Sequence, residues 1–166
     1  MPRPQTHGFA GQRPPDRKSD RYPVYFYERG EPYFEFTNFS DHPVVYKQKR
    51  YPTSEHLYQA FKFLDTAHHS RADKIRRLPS ARTARDQAGQ WRQYQRPDWL
   101  DVNVQIMDIV LWEKFTQHPS LRQMLLDTDN RELIEDSPGD DFWGIGRNGT
   151  GRNELGKALM RIRERL

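Results

Sequence analysis

Glu55, Tyr58, Gln59 and Lys62 are spaced so that, at 100° per residue, they share one side of a helix. Leu57, Ala60, Phe61 and Leu64 fall on the other side and form an ordinary core stripe. The first side sets a carboxylate and an amine two turns apart, about 10.5 Å along the axis, with a phenol and an amide between them. An acid and an amine facing one pocket can move protons or attack an electrophile. The same pattern also describes a solvated face, and periodicity alone leaves both readings open.

A second candidate is the loop from Gly139 to Arg152. Gly144, Gly146 and Gly149 match G-x-G-x-x-G, but no strand leads directly into the loop and the chain ends too soon for a βαβ unit. The run from Gly151 to Lys157 nearly matches a phosphate-binding P-loop, yet Ala158 stands where a hydroxyl would hold magnesium. Both motifs are rejected. The physics that remains is a glycine-rich backbone able to approach a ligand, feeding a helix N-terminus whose N–H groups favour phosphate. Arg147 and Arg152 can pair with a diphosphate, and Trp143 offers a flat face to a base or sugar. A surface loop anchored by a buried tryptophan is the alternative. Asn38, Phe39 and Ser40 place an amide and a hydroxyl around a ring, either as a polar lining for a sugar or as a turn closing on Phe39.

The six histidines form no ligand set, so no metal is expected. The absence of cysteine excludes disulfides and thiolate-held zinc. No segment is long and apolar enough to span a membrane and no secretory signal opens the chain, so an intracellular protein, cytoplasmic or nuclear, is expected. Mean hydropathy is low, −1.06, yet 21 of the 166 residues are aromatic. That is unlike a disordered chain and implies a folded domain rich in rings. The net charge is +4, of which residues 1–20 contribute +2 through Arg3, Arg13, Arg17 and Lys18 against Asp16 and Asp20. The remainder permits contact with nucleic acid without demanding it.

The elements that must hold these groups follow from periodicity and caps. Residues 1–20, with four prolines, read as a disordered tail, leaving 21–166 as one domain. Val24–Tyr27 and Val44–Tyr46 are β-prone, and Arg50–Tyr51 pairs with the second. Thr53 after Pro52 caps the opening helix. Short helices follow over Arg71–Leu78 and Ser80–Ala88. The longest helical pattern, Asp98 to about Gln117, is apolar around much of its circumference, with Leu100, Val104, Met107 and Leu111 in one stripe, and predicts a central buried helix. Pro119 opens another helix, Leu133–Glu135 is a short strand, and Leu155, Leu159, Ile162 and Leu166 mark the last helix. The expected fold is predominantly α with a small antiparallel β element, an α+β single domain.

Several of these motifs occur together in one order. Phe36–Ser40 with Pro43-Val44, Tyr51–His56 through Ala60–Phe63, Asp140 with Trp143–Gly146, Gly149, Gly151, Asn153, Leu155-Gly156, Leu159-Met160 and Ile162-Arg163 resemble the NADAR family, named for NAD and ADP-ribose, which includes YbiA-like N-glycosidases. Trp99, Lys114-Phe115, Leu125-Leu126 and Glu135 also fit. The resemblance runs from about residue 24 to the C-terminus. Residues 81–96 fit less closely, and Arg85 and Trp91 receive no role.

The resemblance implies cleavage of an N-glycosidic bond at the anomeric carbon of a ribose, without a cofactor. The expected activity is removal of ADP-ribose from modified guanine, with ADP-ribosylated DNA or RNA as substrate. The alternatives are an N-glycosidase of ribosylated pyrimidine intermediates of riboflavin synthesis and a non-catalytic ADP-ribose or NAD-binding module. On this reading Glu55 stabilises an oxocarbenium-like centre or activates water, its charged form favoured by the helix dipole. Lys62 protonates the leaving base or forms a Schiff base with the opened ribose, and Asp140 orients ribose hydroxyls or assists proton transfer. Asn38, Phe39, Ser40, Tyr58, Trp143, Gly144, Gly146, Arg147, Gly149, Gly151 and Asn153 line the substrate.

Overall fold

The computed structural model describes residues 22–166; the tail expected over 1–20 lies outside them. The elements run β1 (Val24–Phe26), β2 (Val44–Tyr46), β3 (Lys49–Tyr51), α1 (Ser54–Ala60), α2 (His69–Arg76), α3 (Ala81–Gln90), α4 (Trp99–Gln117), α5 (Pro119–Leu126), β4 (Leu133–Glu135) and α6 (Glu154–Arg165). Short 3-10 turns occupy Phe34–Phe36 and Arg92–Tyr94.

Local signals set most boundaries. Thr53, in extended conformation, accepts the His56 N–H and starts α1. Ser80 and Thr83 form a reciprocal capping box at α3. Pro119 occupies the first turn of α5, where its missing N–H leaves no gap. Lys47 and Gln48 both have positive φ, 45° and 65°, and close the antiparallel β2–β3 hairpin. That geometry belongs to a two-residue primed turn, here without the usual Asn-Gly signal.

α4 is the hub. Its buried residues Ile106, Met107, Val110, Leu111 and Phe115 face α1 on one side and α6 on another. Leu100, expected in its stripe, is 82% exposed instead. It sits in the first turn, before the helix runs under its neighbours. Leu155, Leu159 and Ile162 of α6 are buried as the spacing predicts. Val24 and Phe26 of β1 join Leu133 of β4 in the same core.

β1 and β4 form a second two-stranded sheet, and it is parallel, with Val24 opposite Leu133 and Phe26 opposite Glu135. A parallel pair needs a long crossover, and here everything from β2 to α5 supplies it. This pairing delivers Glu135 and the following glycine-rich loop beside α1.

Candidate active site

α1 is buried on every side, from Ser54 to Ala60. The polar face of Glu55, Tyr58 and Gln59 is therefore no solvated surface; these residues are 7%, 5% and 4% exposed. The helix ends at Ala60, and the next turns tighten to i→i+3 bonds, including Lys62 N–H to Gln59 O at 3.2 Å. Lys62 thus follows the helix rather than continuing it. Its carbonyl accepts the Arg96 N–H at 2.8 Å, tying it to the segment before α4.

Among the described residues the Glu55 side chain accepts one hydrogen bond, from Gln59 Nε2 at 2.8 Å. Burial raises its pKa, while Gln59, Lys62 and Arg85 pull it down and Asp140 pushes it up. The dipole of a seven-residue helix favours the charged form, but burial outweighs it and moves Glu55 toward its acid form. Lys62 is shifted the opposite way: burial lowers its pKa, Glu55 opposes that and Arg92 adds to it. Its Nζ lies 5.4 Å from the centre of the Trp99 ring. Trp99 and Trp143 both pack on Tyr58, at 5.1 and 5.6 Å between ring centres. Burial, with Glu55 and Asp140 nearby, also raises the Tyr58 phenol.

Two groups that the motifs did not place in the site join it. Glu135 at the end of β4 has its carboxyl pushed up to about 8 by burial, Asp140 and Glu55, and its Oε2 is buried without a hydrogen-bond partner. Arg85 of α3 lies over the Phe39 ring at 5.3 Å and acts on Glu55. Glu135 was visible only as a family-matching position. Nothing in the pattern around Arg85 points to a site.

Other expected site residues are brought together as supports. Asp140 Oδ1 accepts the N–H groups of Phe142 and Trp143 at 2.9 and 2.8 Å and so organises the loop. Asn38 accepts the Glu55 N–H through its carbonyl at 3.1 Å and the Ser54 hydroxyl through Oδ1 at 3.0 Å, fixing the start of α1. Ser40 Oγ accepts from Lys114 Nζ at 2.8 Å. Lys114 also donates to the carbonyls of Glu35 and Thr37, at 2.6 and 2.7 Å. This buried lysine clamps the segment that carries Asn38 and Phe39. Asn153, at φ 53°, donates to Leu133 O and accepts Glu135 N–H, standing in for a strand beside β4.

The glycine-rich loop folds onto itself rather than presenting bare backbone. A Cβ on Gly144 would lie 2.9 Å from Glu135 O, and one on Gly151 would meet Gly144 O at 2.5 Å. Their missing side chains make room for the protein itself. The Glu154 and Leu155 N–H groups at the start of α6 donate to the carbonyls of Phe142 and Trp143, each at 3.0 Å. These two of the N–H groups expected to favour phosphate are therefore already occupied. Arg152 is also committed, to Glu154 Oε1 at 2.9 Å. Gly146 and Gly149, with φ of 68° and 70°, lie further out, and Gly149 has open space around it. Gly146, Arg147, Asn148 and Thr150 line a concavity of about 310 Å³ with Asp141. No side chain of the Glu55 cluster lines it. Among the described residues no group of His, Asp and Glu is arranged to hold a metal ion, and no helix is long and apolar enough to cross a membrane.

A family model described as the NADAR domain matches residues 25–166. The chain belongs to the NADAR domain family. It is 38% identical to N-glycosidase YbiA of Escherichia coli strain K12 over 143 residues, which cover 86% of this chain and 88% of that protein. It is 41% identical over 144 residues to the riboflavin biosynthesis protein VVA0006 of Vibrio vulnificus strain YJ016, covering 87% of this chain but only 38% of that protein's length. The NMR structure of E. coli YbiA matches this NADAR domain with a TM-score of 0.78, covering 87% of this chain and 84% of that one. Likeness to N-glycosidases over nearly the whole domain supports an N-glycosidase assignment.

Proposed function

We propose that this NADAR domain is an N-glycosidase that removes ADP-ribose from modified guanine in nucleic acid. The observation that carries the reading is the buried polar face of α1 followed at once by Lys62, whose amine lies by the Trp99 ring, with Glu55 shifted toward its acid form and Lys62 toward its neutral amine. A desolvated lysine is a better nucleophile, and a carboxyl whose pKa is raised holds its proton to higher pH and can donate it. The Lys62 amine adds to the anomeric carbon, and the glycosidic electron pair leaves with the guanine nitrogen, which takes the Glu55 proton. Ring opening then transfers a lysine proton to the ring oxygen and leaves a protonated Schiff base. Water adds to it, Glu55 accepts the water's proton, and the lysine departs as ADP-ribose is released. Asp140 and Glu135 surround the ribose, Trp143 and Phe39 pack on the ligand, and Arg85, Arg92 and Arg147 meet its phosphates.

The 41% identity to a protein named for riboflavin biosynthesis favours a second reading, a ribosylated pyrimidine intermediate of that synthesis. One experiment separates them. The protein is incubated with ADP-ribosylated guanine in DNA and, separately, with the ribosylated pyrimidine phosphate, and products are followed by mass spectrometry. Release of ADP-ribose is expected. Release of ribose phosphate alone would move the substrate to the second reading. Binding without release would make the domain a reader.

A further inference from the structure

Gln59 follows Glu55 by one turn of α1 and is 4% exposed. Its Nε2 donates to Glu55 Oε1 at 2.8 Å, while its Oε1 is buried and has no hydrogen-bond partner. A half-satisfied buried amide destabilises the fold, and a methionine would fill the same space without leaving a polar atom unpaired. Among the described residues Gln59 provides the one hydrogen bond received by the Glu55 carboxylate. The other groups acting on Glu55 do so at longer range: Lys62 after α1 and Arg85 on α3 favour its anion, while Asp140 in the loop opposes it. Glu135 on β4 and the Tyr58 phenol also lie within electrostatic reach of Glu55.

We propose that Gln59 is a positioning residue whose amide turns over as Glu55 loses and gains a proton. Facing the carboxylate, the amide donates N–H. Facing the carboxylic acid, its carbonyl accepts the acid's O–H, and no proton leaves the pair. The unpartnered oxygen is then the acceptor kept for the second state. The inference rests on Glu55 as the proton-transferring group of the proposed reaction, which needs both states in each turnover.

The test has one arm independent of turnover. In the isotope-labelled full chain, NMR follows the Glu55 carboxyl carbon and the Gln59 side-chain NH2 across pH. A common midpoint is expected, and Gln59 resonances that stay flat while Glu55 titrates would overturn the proposal. In the kinetic arm, Gln59→Met should lower kcat about 10²-fold, the scale of a general acid–base group, with KM within about twofold, and should displace the acid limb of the pH–rate profile. Gln59→Glu, which can share a proton with Glu55, should keep activity in acid and lose it near neutrality. Profiles matching the parent in both variants would overturn the proposal. A shared titration in a wild-type protein that releases no product would sustain the pairing and discard the catalytic reading.

Discussion

Lys114 and Glu55 are both buried, at 0% and 7% exposure, but their surroundings differ in kind. Lys114 Nζ has three oxygen acceptors between 2.6 and 2.8 Å. Burial presses its pKa down to about 7, and Glu35 resists. In either protonation state its contacts can be met: the ammonium donates to all three, and the neutral amine donates to two carbonyls and accepts the Ser40 hydroxyl. Glu55 has one donor, two neighbouring carboxyls and an unpartnered amide oxygen beside it. A buried charge with every partner in place fixes a loop. A buried charge short of partners weakens the fold and leaves capacity for a substrate. The contrast separates the supports of the site from its chemistry, and it can be broken experimentally.

The largest effect belongs to the under-partnered side. Glu55→Gln and Lys62→Ala should each lower turnover by at least about 10²-fold with little loss of thermal stability. The double variant should be little worse than the worse single one if they act as a unit. Borohydride added during turnover should trap a protein–ADP-ribose adduct that is absent from Lys62→Ala. A dead Lys62→Ala enzyme together with a wild type that yields no adduct would turn the lysine into a proton donor.

Lys114→Met should do the reverse. The buried Thr37 carbonyl loses its lysine donor, at about 1–3 kcal/mol, and the Glu35 carbonyl keeps only the Ser40 hydroxyl at 3.3 Å, so the melting temperature should drop by several degrees, measured by calorimetry. Turnover of the fraction that stays folded should fall far less than in Glu55→Gln. Equal losses in both would erase the distinction.

A pH series sharpens it further. Glu135 has a folded pKa of about 8, above the ordinary carboxylate value, so the folded state holds its proton longer than the unfolded chain. Its contribution to stability is fully present below about pH 4.3 and is lost as pH rises toward 8. Glu135→Gln should flatten that decline, seen as a smaller fall in denaturation midpoint between pH 5 and 8. The smallest effect is expected at the rim of the clamp, where His42 Nδ1 lies 3.0 Å from Ser40 Oγ. His42→Ala should lower stability by about 0.5–1.5 kcal/mol and leave turnover unchanged.

What was legible in the sequence is what local chemistry encodes. Thr53, Ser80 and Pro119 announce their helices within one turn, and the face shared by Glu55, Tyr58 and Gln59 follows from the helical repeat alone. Lys62 belongs to the same site although α1 stops before reaching it. Lys114 was not legible as a clamp, because its acceptors include backbone carbonyls far away in sequence, which carry no residue signature. The glycines at 144 and 151 read as room for a ligand, whereas the loop fills that room with its own backbone. Glu135 reaches the site through a parallel pairing that no alternation pattern reveals, and Arg85 arrives on a helix facing mostly outward.

The pairing of β1 with β4 carries a consequence for biosynthesis. β1 leaves the ribosome early and must wait, unpaired, until Leu133 has been made before Val24 finds its partner. Glu135, Asp140 and the covering loop emerge after that. A nascent chain truncated between Lys62 and β4 therefore holds Glu55 and Lys62 without their enclosure, with Phe26 and its neighbours uncovered, and a stalled or proteolysed fragment of that length should be recognised by chaperones.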